Sequence, residues 1–409
     1  MTCGGTGRRG IARGSRVLAL AALLVLAVLV GCAGRPDRSA PGQIATKPWT
    51  DRNGTGDNYH DAETDAVSGL ARAMGGDAPA PPPNPAAKPL NVLCVSGGGK
   101  YAAFTAGVLN GWTATGERPT FDVATGISSG APTALLAFLG PKYDPILSET
   151  FLSLKRTDLF TWRPVRGVLS GEGLMSSRPL EQLLARKVDP ALLADLSAAH
   201  RSGRRLFIAT SNVITHKLVV WDVGAIAYSG RPDAAALVRK VILAACSIPG
   251  LVPPVEFDVT VNGVRYTELH ADAGNLAQVF VRTVGPLPPD SAIWVLSAGK
   301  THPDYDAKQP RILEAMVRAV SATLYALFRA DTMKLYALCG VTRSKFRIQA
   351  LPPEFAGRAS SMVFDPVESE RMYLVGYQMG AGKSWETRPP DTGPGEVPPP
   401  RGGIEFTAP

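Results

Sequence analysis

The sequence predicts an α/β fold with a largely parallel central β-sheet flanked by helices. Three observations predict it. Short apolar runs alternate with segments of helical periodicity along much of the chain. Runs such as "LNVLCV" are continuous rather than alternating, the pattern of a strand buried on both faces. Glycines punctuate the junctions from strand to helix.

Taken in order, "LNVLCV" (90–95) reads as a strand stopped by glycine, and "YAAFTAGVLNGW" (101–112) as the helix after it. "FDVAT" (121–125) is a second strand and "APTALLAFL" (131–139) a second helix. The alternation resumes with "RLFIATSNV" (205–213), "KLVVWDV" (217–223) and the helical "DAAALVRKVILAAC" (233–246). In "VTVNGVRYTEL" (259–269), Asn262-Gly263 separates two alternating runs, a hairpin signal. "SAIWVLSAG" (291–299) is another buried strand, followed by a helical region over about 310–338. No internal repeat is present.

The ends have a different character. Arg8, Arg9, Arg13 and Arg16 lead into the apolar run "VLALAALLVLAVLV" (17–30), which stops at Gly31-Cys32. That run is shorter than the ~20 residues of a spanning helix and has the layout of a signal peptide. The ending Leu29-Val30-Gly31-Cys32 resembles the lipobox of bacterial lipoproteins, so residues 1–31 are expected to be a leader and Cys32 the lipid-modified first residue of the mature chain. Several acyl chains there would hold the protein at a membrane, where one would not. The expected location is a bacterial cell envelope, and the outer membrane in a Gram-negative host. Residues 32–89, ending in "APAPPPNPAAKP", suit a tether that buries too little apolar surface to fold alone. Residues 90–387 form the expected domain, and the proline-rich 388–409 an expected disordered tail.

Charge narrows the partners. The formal net charge of +8 includes the four leader arginines, and without them the excess is +4. That is too mild for a nucleic-acid surface and no obstacle to an anionic membrane. Cys94, Cys246 and Cys339 lie among apolar residues without paired spacing and read as small buried hydrophobes. No metal-ligand cluster is legible, and neither a metal nor another cofactor is expected.

The chemistry turns on "SGGGKYAAF" (96–104). A P-loop fails at both ends: Cys94 stands where the first glycine belongs, and Tyr101 follows Gly99-Lys100. The dinucleotide pattern fits Gly97, Gly99 and Ala102 but lacks an acidic residue closing the second strand, since Glu117 precedes that strand and Asp122 lies inside it. Downstream, "GISSG" (126–130) places G-x-S-x-G at a strand-to-helix junction, the context of a nucleophile elbow centred on Ser128. Parallel strands one helix apart bring both glycine motifs to one sheet edge. Gly97, Gly98 and Gly99 then read as backbone donors for an oxyanion beside Ser128.

A serine nucleophile needs a base. His60 falls in the tether, His200 at the solvated end of a helix, and His216 in a hairpin turn. His270 precedes Asp272 by two residues on a shared face, while His302 comes late, as a Ser-His-Asp triad would want. The segments "SGGGKYAAFTAGVL", "GISSGA", "AACSIPGLVPPVEF" and "HADAG", in that order, resemble the patatin-like phospholipase family over residues 90–300. The resemblance implies a three-layer fold, hydrolysis of acyl esters of lipids, and a serine–aspartate dyad without a catalytic histidine. By position it makes Ser128 the nucleophile, Asp272 the general base and Gly97, Gly98 and Gly99 the oxyanion loop. Tyr101 stands at the family's usual arginine, and Ala273 at the glycine after the aspartate. "SIPGLVPPVEF" (247–257) is expected to line a mouth or acyl channel. Two alternatives stay open: a triad esterase using His302, and a catalytically silent lipoprotein of the same fold.

Overall fold

The computed structural model describes residues 59–61, 88–163, 173–261, 264–283, 287–303, 309–357 and 361–390. The leader, Cys32, nearly all of the tether, the Asn262-Gly263 turn and the tail beyond 390 lie outside the described residues.

The strands are β1 (Tyr59–Asp61), β2 (Asn91–Val95), β3 (Val123–Gly126), β4 (Thr161–Trp162), β5 (Met175–Ser176), β6 (Arg205–Asn212), β7 (Lys217–Asp222), β8 (Val255–Val261), β9 (Val264–Asp272), β10 (Ala292–Leu296) and β11 (Lys345–Gln349). The helices are α1 (Ala102–Ala114), α2 (Gly130–Leu139), α3 (Asp144–Ser153), α4 (Arg156–Leu159), α5 (Arg178–Lys187), α6 (Pro190–Arg201), α7 (Val223–Tyr228), α8 (Ala234–Ala245), α9 (Ile312–Thr342) and α10 (Pro366–Ala381). Every strand and helix read from the sequence is present, with ends shifted by a few residues.

The centre of the main sheet is parallel, in the order β6-β3-β2-β10-β11. An antiparallel margin adds β7 and β1 on the far side of β6, and the β8–β9 hairpin joins through β9. The tether was read without any element, yet β1 pairs Tyr59–Asp61 with β7 at the sheet margin.

Alternate residues of each central strand feed two cores, which is why the runs are apolar throughout. Leu93, Val95, Leu206 and Ile208 pack in the layer that holds α1, α2 and α8. Val92, Cys94, Phe207 and Ala209 pack in the opposite layer with Phe328, Leu335 and Cys339 of α9. The result is helix, sheet, helix.

Two regions carry elements that the sequence reading did not place, apart from the helix ending near His200. Asp144–Ser153, Arg156–Leu159 and Arg178–Lys187 form α3, α4 and α5, whose leucines are spread too thinly between polar residues to stand out beside the buried strands. Residues 345–381 add β11 and α10. Helix α10 lies directly on α1, because Gly107 and Gly111 meet the backbone of Tyr373 and Tyr377 while Gly376 and Gly380 meet that of Phe104 and Val108. A Cβ on any of the four would lie 2.0–2.2 Å from a carbonyl oxygen, so only glycine allows the approach.

Candidate active site

Strand β3 ends at Gly126, and the chain turns through Ile127-Ser128-Ser129 into α2. Ser128 sits at φ 53°, a left-handed conformation that costs a non-glycine residue about 1–3 kcal/mol. The turn is pinned by Gly130 N donating to Ile127 O at 2.7 Å and Ala131 N to Ser128 O at 2.9 Å. Both flanking glycines are sterically required. A Cβ on Gly126 would lie 2.4 Å from Gly130 O, and one on Gly130 2.5 Å from Val95 O. That is the local reason for G-x-S-x-G.

Register brings Asp272 to the serine. On one side of β6, Gly126 is paired with Ile208 and Asp272 with Thr210. β3 and β9 therefore meet C-terminus to C-terminus, separated only by Ala209 on β6. The Asp272 carboxyl comes close enough to Ser128 for the serine side chain to pull its pKa down. Gly274 N donates to Oδ1 of Asp272 at 2.8 Å, and the Asp272 backbone is held by Ser247 O and by Ser211 Oγ. Asp272 is 6% exposed. Burial pushes its pKa up from 3.8 to about 6, against the lowering effect of Ser128 and of the Gly274 hydrogen bond.

The loop 97–99 closes over the same point. A Cβ on Gly97 would lie 3.0 Å from Cβ of Ser128 and 3.7 Å from its Oγ. Gly98 is wedged against Ala298, whose carbonyl oxygen would stand 1.7 Å from a Cβ there. Gly99 adopts φ 57° beneath Ser361, which accepts from Lys100 N at 2.9 Å. The amides of Gly97, Gly98 and Gly99 donate to no protein acceptor among the described residues.

Ser128 and Gly99 stand at an apolar cavity of about 950 Å³, its mouth included. Its walls come from six parts of the chain, including Leu135, Phe151, Leu180, Leu184, Ile242 and Phe364. Such a space takes a hydrocarbon chain and offers it almost no polar partner.

Residues 93–285 match the Patatin family, described as patatin-like phospholipase. The chain carries a patatin-like phospholipase domain. Lipid acyl hydrolase activity is what that family implies. No curated protein matches the chain. Among solved structures, VipD from Legionella pneumophila is 13% identical with a TM-score of 0.38, over 72% of this chain and 67% of that one. Human GIVD cytosolic phospholipase A2 is 12% identical with a TM-score of 0.30, over 74% of this chain and 53% of that one.

His200, His270 and His302 each contact groups other than Ser128. His270 is fully buried, its ring nitrogens 2.9 Å from Thr210 Oγ1 and 3.1 Å from Glu268 Oε2. His200 is half-buried rather than solvated, stacked on Tyr228 and 3.5 Å from Asp222. His216 does sit in the turn between β6 and β7, at φ 55°. His302 bonds through Nδ1 to Thr301 Oγ1 at 2.9 Å.

Two expectations about the cavity are corrected. Of "SIPGLVPPVEF", only Ile248 reaches it, because Val252 and Phe257 turn into the core. The walls come mainly from α2, α3 and α5. Cys246 is not inert filler: it lines the cavity, and its thiol donates to Ser128 O at 3.5 Å. Burial and the nearby Asp272 charge push that thiol's pKa well up, so it stays protonated.

The residue sequence reasoning missed is Glu368. Lys100, 1% exposed, reaches it with a 2.8 Å ion pair that ties the glycine loop to the start of α10. Nothing in the local pattern around Lys100 signals a partner 268 residues away.

Proposed function

We propose that the protein is a serine acyl hydrolase that cleaves acyl esters of lipids, phospholipids above others, with Ser128 as nucleophile and Asp272 as its base. The observation that carries this reading is Ser128, held at positive φ at an apolar cavity, on a strand that ends against the strand carrying the buried Asp272 carboxyl. The acyl chain enters the cavity and presents its ester carbonyl to Ser128. As Oγ bonds to the carbonyl carbon, its proton passes to Asp272, and the amides of Gly97, Gly98 and Gly99 receive the negative charge on oxygen. The tetrahedral adduct collapses by breaking the bond to the alcohol, which leaves with the proton from Asp272. Water then attacks the acyl-enzyme, giving its proton to Asp272. The second collapse frees the fatty acid and returns that proton to Ser128.

A raised Asp272 pKa suits this role, because a stronger base takes the serine proton more readily while remaining ionised at neutral pH. The test compares fatty-acid release from phospholipid vesicles and short-chain esters by the wild type, Ser128→Ala and His302→Ala. Ser128→Ala is expected to lose at least ~10³-fold in rate and His302→Ala to stay near wild type. Loss in His302→Ala with activity kept in an Asp272 variant would favour the triad instead.

The same proposal makes the protein a lipoprotein of a bacterial cell envelope, anchored through Cys32. Its support is the sequence: arginines, a short apolar run, and a cysteine directly after it. In a bacterial host, Cys32→Ala is expected to stop incorporation of labelled palmitate and to move the protein out of the lipidated membrane pool. Unchanged labelling would remove the anchor.

A further inference from the structure

Helix α9 is longer than the sheet it covers. Its 31 residues span about 46 Å, whereas the five-residue strands β10 and β11 span about 17 Å. Because α9 returns the chain from the end of β10 to the start of the parallel β11, it runs against both strands. Its N-terminal end therefore overshoots the edge that carries Ser128 and the loop 97–99.

Hydrogen bonds fix where α9 passes that edge. Asp331 accepts from Gln278 N at 2.8 Å, a few residues beyond the Asp272-Ala273-Gly274 bend. Arg329 donates to Thr301 O at 3.2 Å, in the loop after β10. Among the described side chains of α9, Phe328 is the first in the core. The preceding turns stand clear of it: Ile312 is 84% exposed, Met316 62%, and Val317 and Val320 61% each.

At 100° per residue, Ile312, Met316, Val320 and Val317 cover an arc of about 140°. Glu314, Arg318 and Ser321 fall on the opposite side. A face this wide that meets no core is an amphipathic surface, and exposed apolar area of this kind marks an interaction site.

We propose that the N-terminal half of α9 docks the protein onto a phospholipid surface, laying the Ile312, Met316, Val317 and Val320 face among the acyl chains at the sheet edge that carries Ser128. The inference rests on the lipid-hydrolase reading above. Position supports a lipid occupant, since the face projects from the edge at which a lipid substrate must arrive. A second copy of the chain would cover the face without bringing substrate to the cavity.

The test uses the full chain and vesicles of phosphatidylethanolamine and phosphatidylglycerol. The double variant Met316→Glu/Val320→Glu alters only exposed side chains, so the fold is retained. Its hydrolysis of vesicle lipid is expected to fall at least ~10-fold, with a dissolved short-chain ester cleaved at near the wild-type rate. In a Ser128→Ala background, Met316→Trp is expected to shift its emission to the blue on adding vesicles and to be quenched by brominated lipid beyond the quenching of the chain's other tryptophans. Unchanged vesicle hydrolysis in the double variant, or a tryptophan that ignores vesicles, overturns the inference. So does a wild-type dimer that the double variant splits without loss of vesicle hydrolysis. If the wild type cleaves neither substrate, the hydrolase reading fails and the tryptophan signal alone decides the docking.

Discussion

Asp272→Asn is expected to abolish ester hydrolysis and at the same time to stabilise the fold. Loss of the base should cost on the order of 10³-fold in rate, within the usual range for a positioned general base. The stability gain follows from linkage. The native carboxyl holds its proton up to a pKa of about 6, whereas its ordinary value is 3.8. Between those values the native state binds more protons than the unfolded state, so stability falls as pH rises. Above about 6 the penalty levels off at roughly 3 kcal/mol. Asparagine carries no charge and escapes it. Denaturant unfolding at pH 8 should show the variant more stable than the wild type, with a gain that shrinks toward pH 5. An equal gain at both would exclude the buried charge as its source. The wild-type rate has its own signature: kcat/KM should fall below about pH 6 as Asp272 protonates, and run level above it.

Lys100→Met is expected to be the most destabilising single change near the site. Lys100 is fully buried, and its charge there is paired with Glu368 at 2.8 Å. Removing the ammonium takes from the buried Glu368 carboxylate the counter-charge at 2.8 Å, at a cost of about 3–5 kcal/mol. Activity should fall with stability, because the pair and the bond from Lys100 N to Ser361 O hold the end of the glycine loop against the start of α10. The measurement is a double-mutant cycle read by urea unfolding and by ester hydrolysis. Lys100→Met/Glu368→Gln should be more stable than Lys100→Met alone, since the buried charge is gone. A double variant no better than the single would mean that the loss is one of packing.

Much of the architecture was legible because its causes are local. Strands buried on both faces must be apolar throughout, so β2, β3, β6 and β10 announce themselves. The elbow was legible because two close backbone approaches allow only glycine at 126 and 130. Helices α3–α5 were harder to read. Their leucines face a cavity and a partial core, so apolar positions are sparse, although Leu180, Leu183 and Leu184 do follow a helical period. Cys246 looked like filler because sequence shows an apolar neighbourhood and not which wall of it a side chain joins. The hydrogen-bonded placement of His270 was equally hidden, since its partners Thr210 and Glu268 come from two strands.

By itself the sequence determined the order of strands and helices, the glycine turns, and Ser128 at the tip of the elbow. Each follows from the steric and solvation demands of a few neighbouring residues. Tertiary structure alone decided the rest. Asp272 reaches Ser128 because β3 and β9 end against each other along β6, a matter of register. The acyl-sized cavity exists because helices far apart in the chain leave space between them. The exposed end of α9 exists because a long helix crosses a short sheet. Register, enclosure and overshoot are relations between distant segments, and no local pattern encodes them.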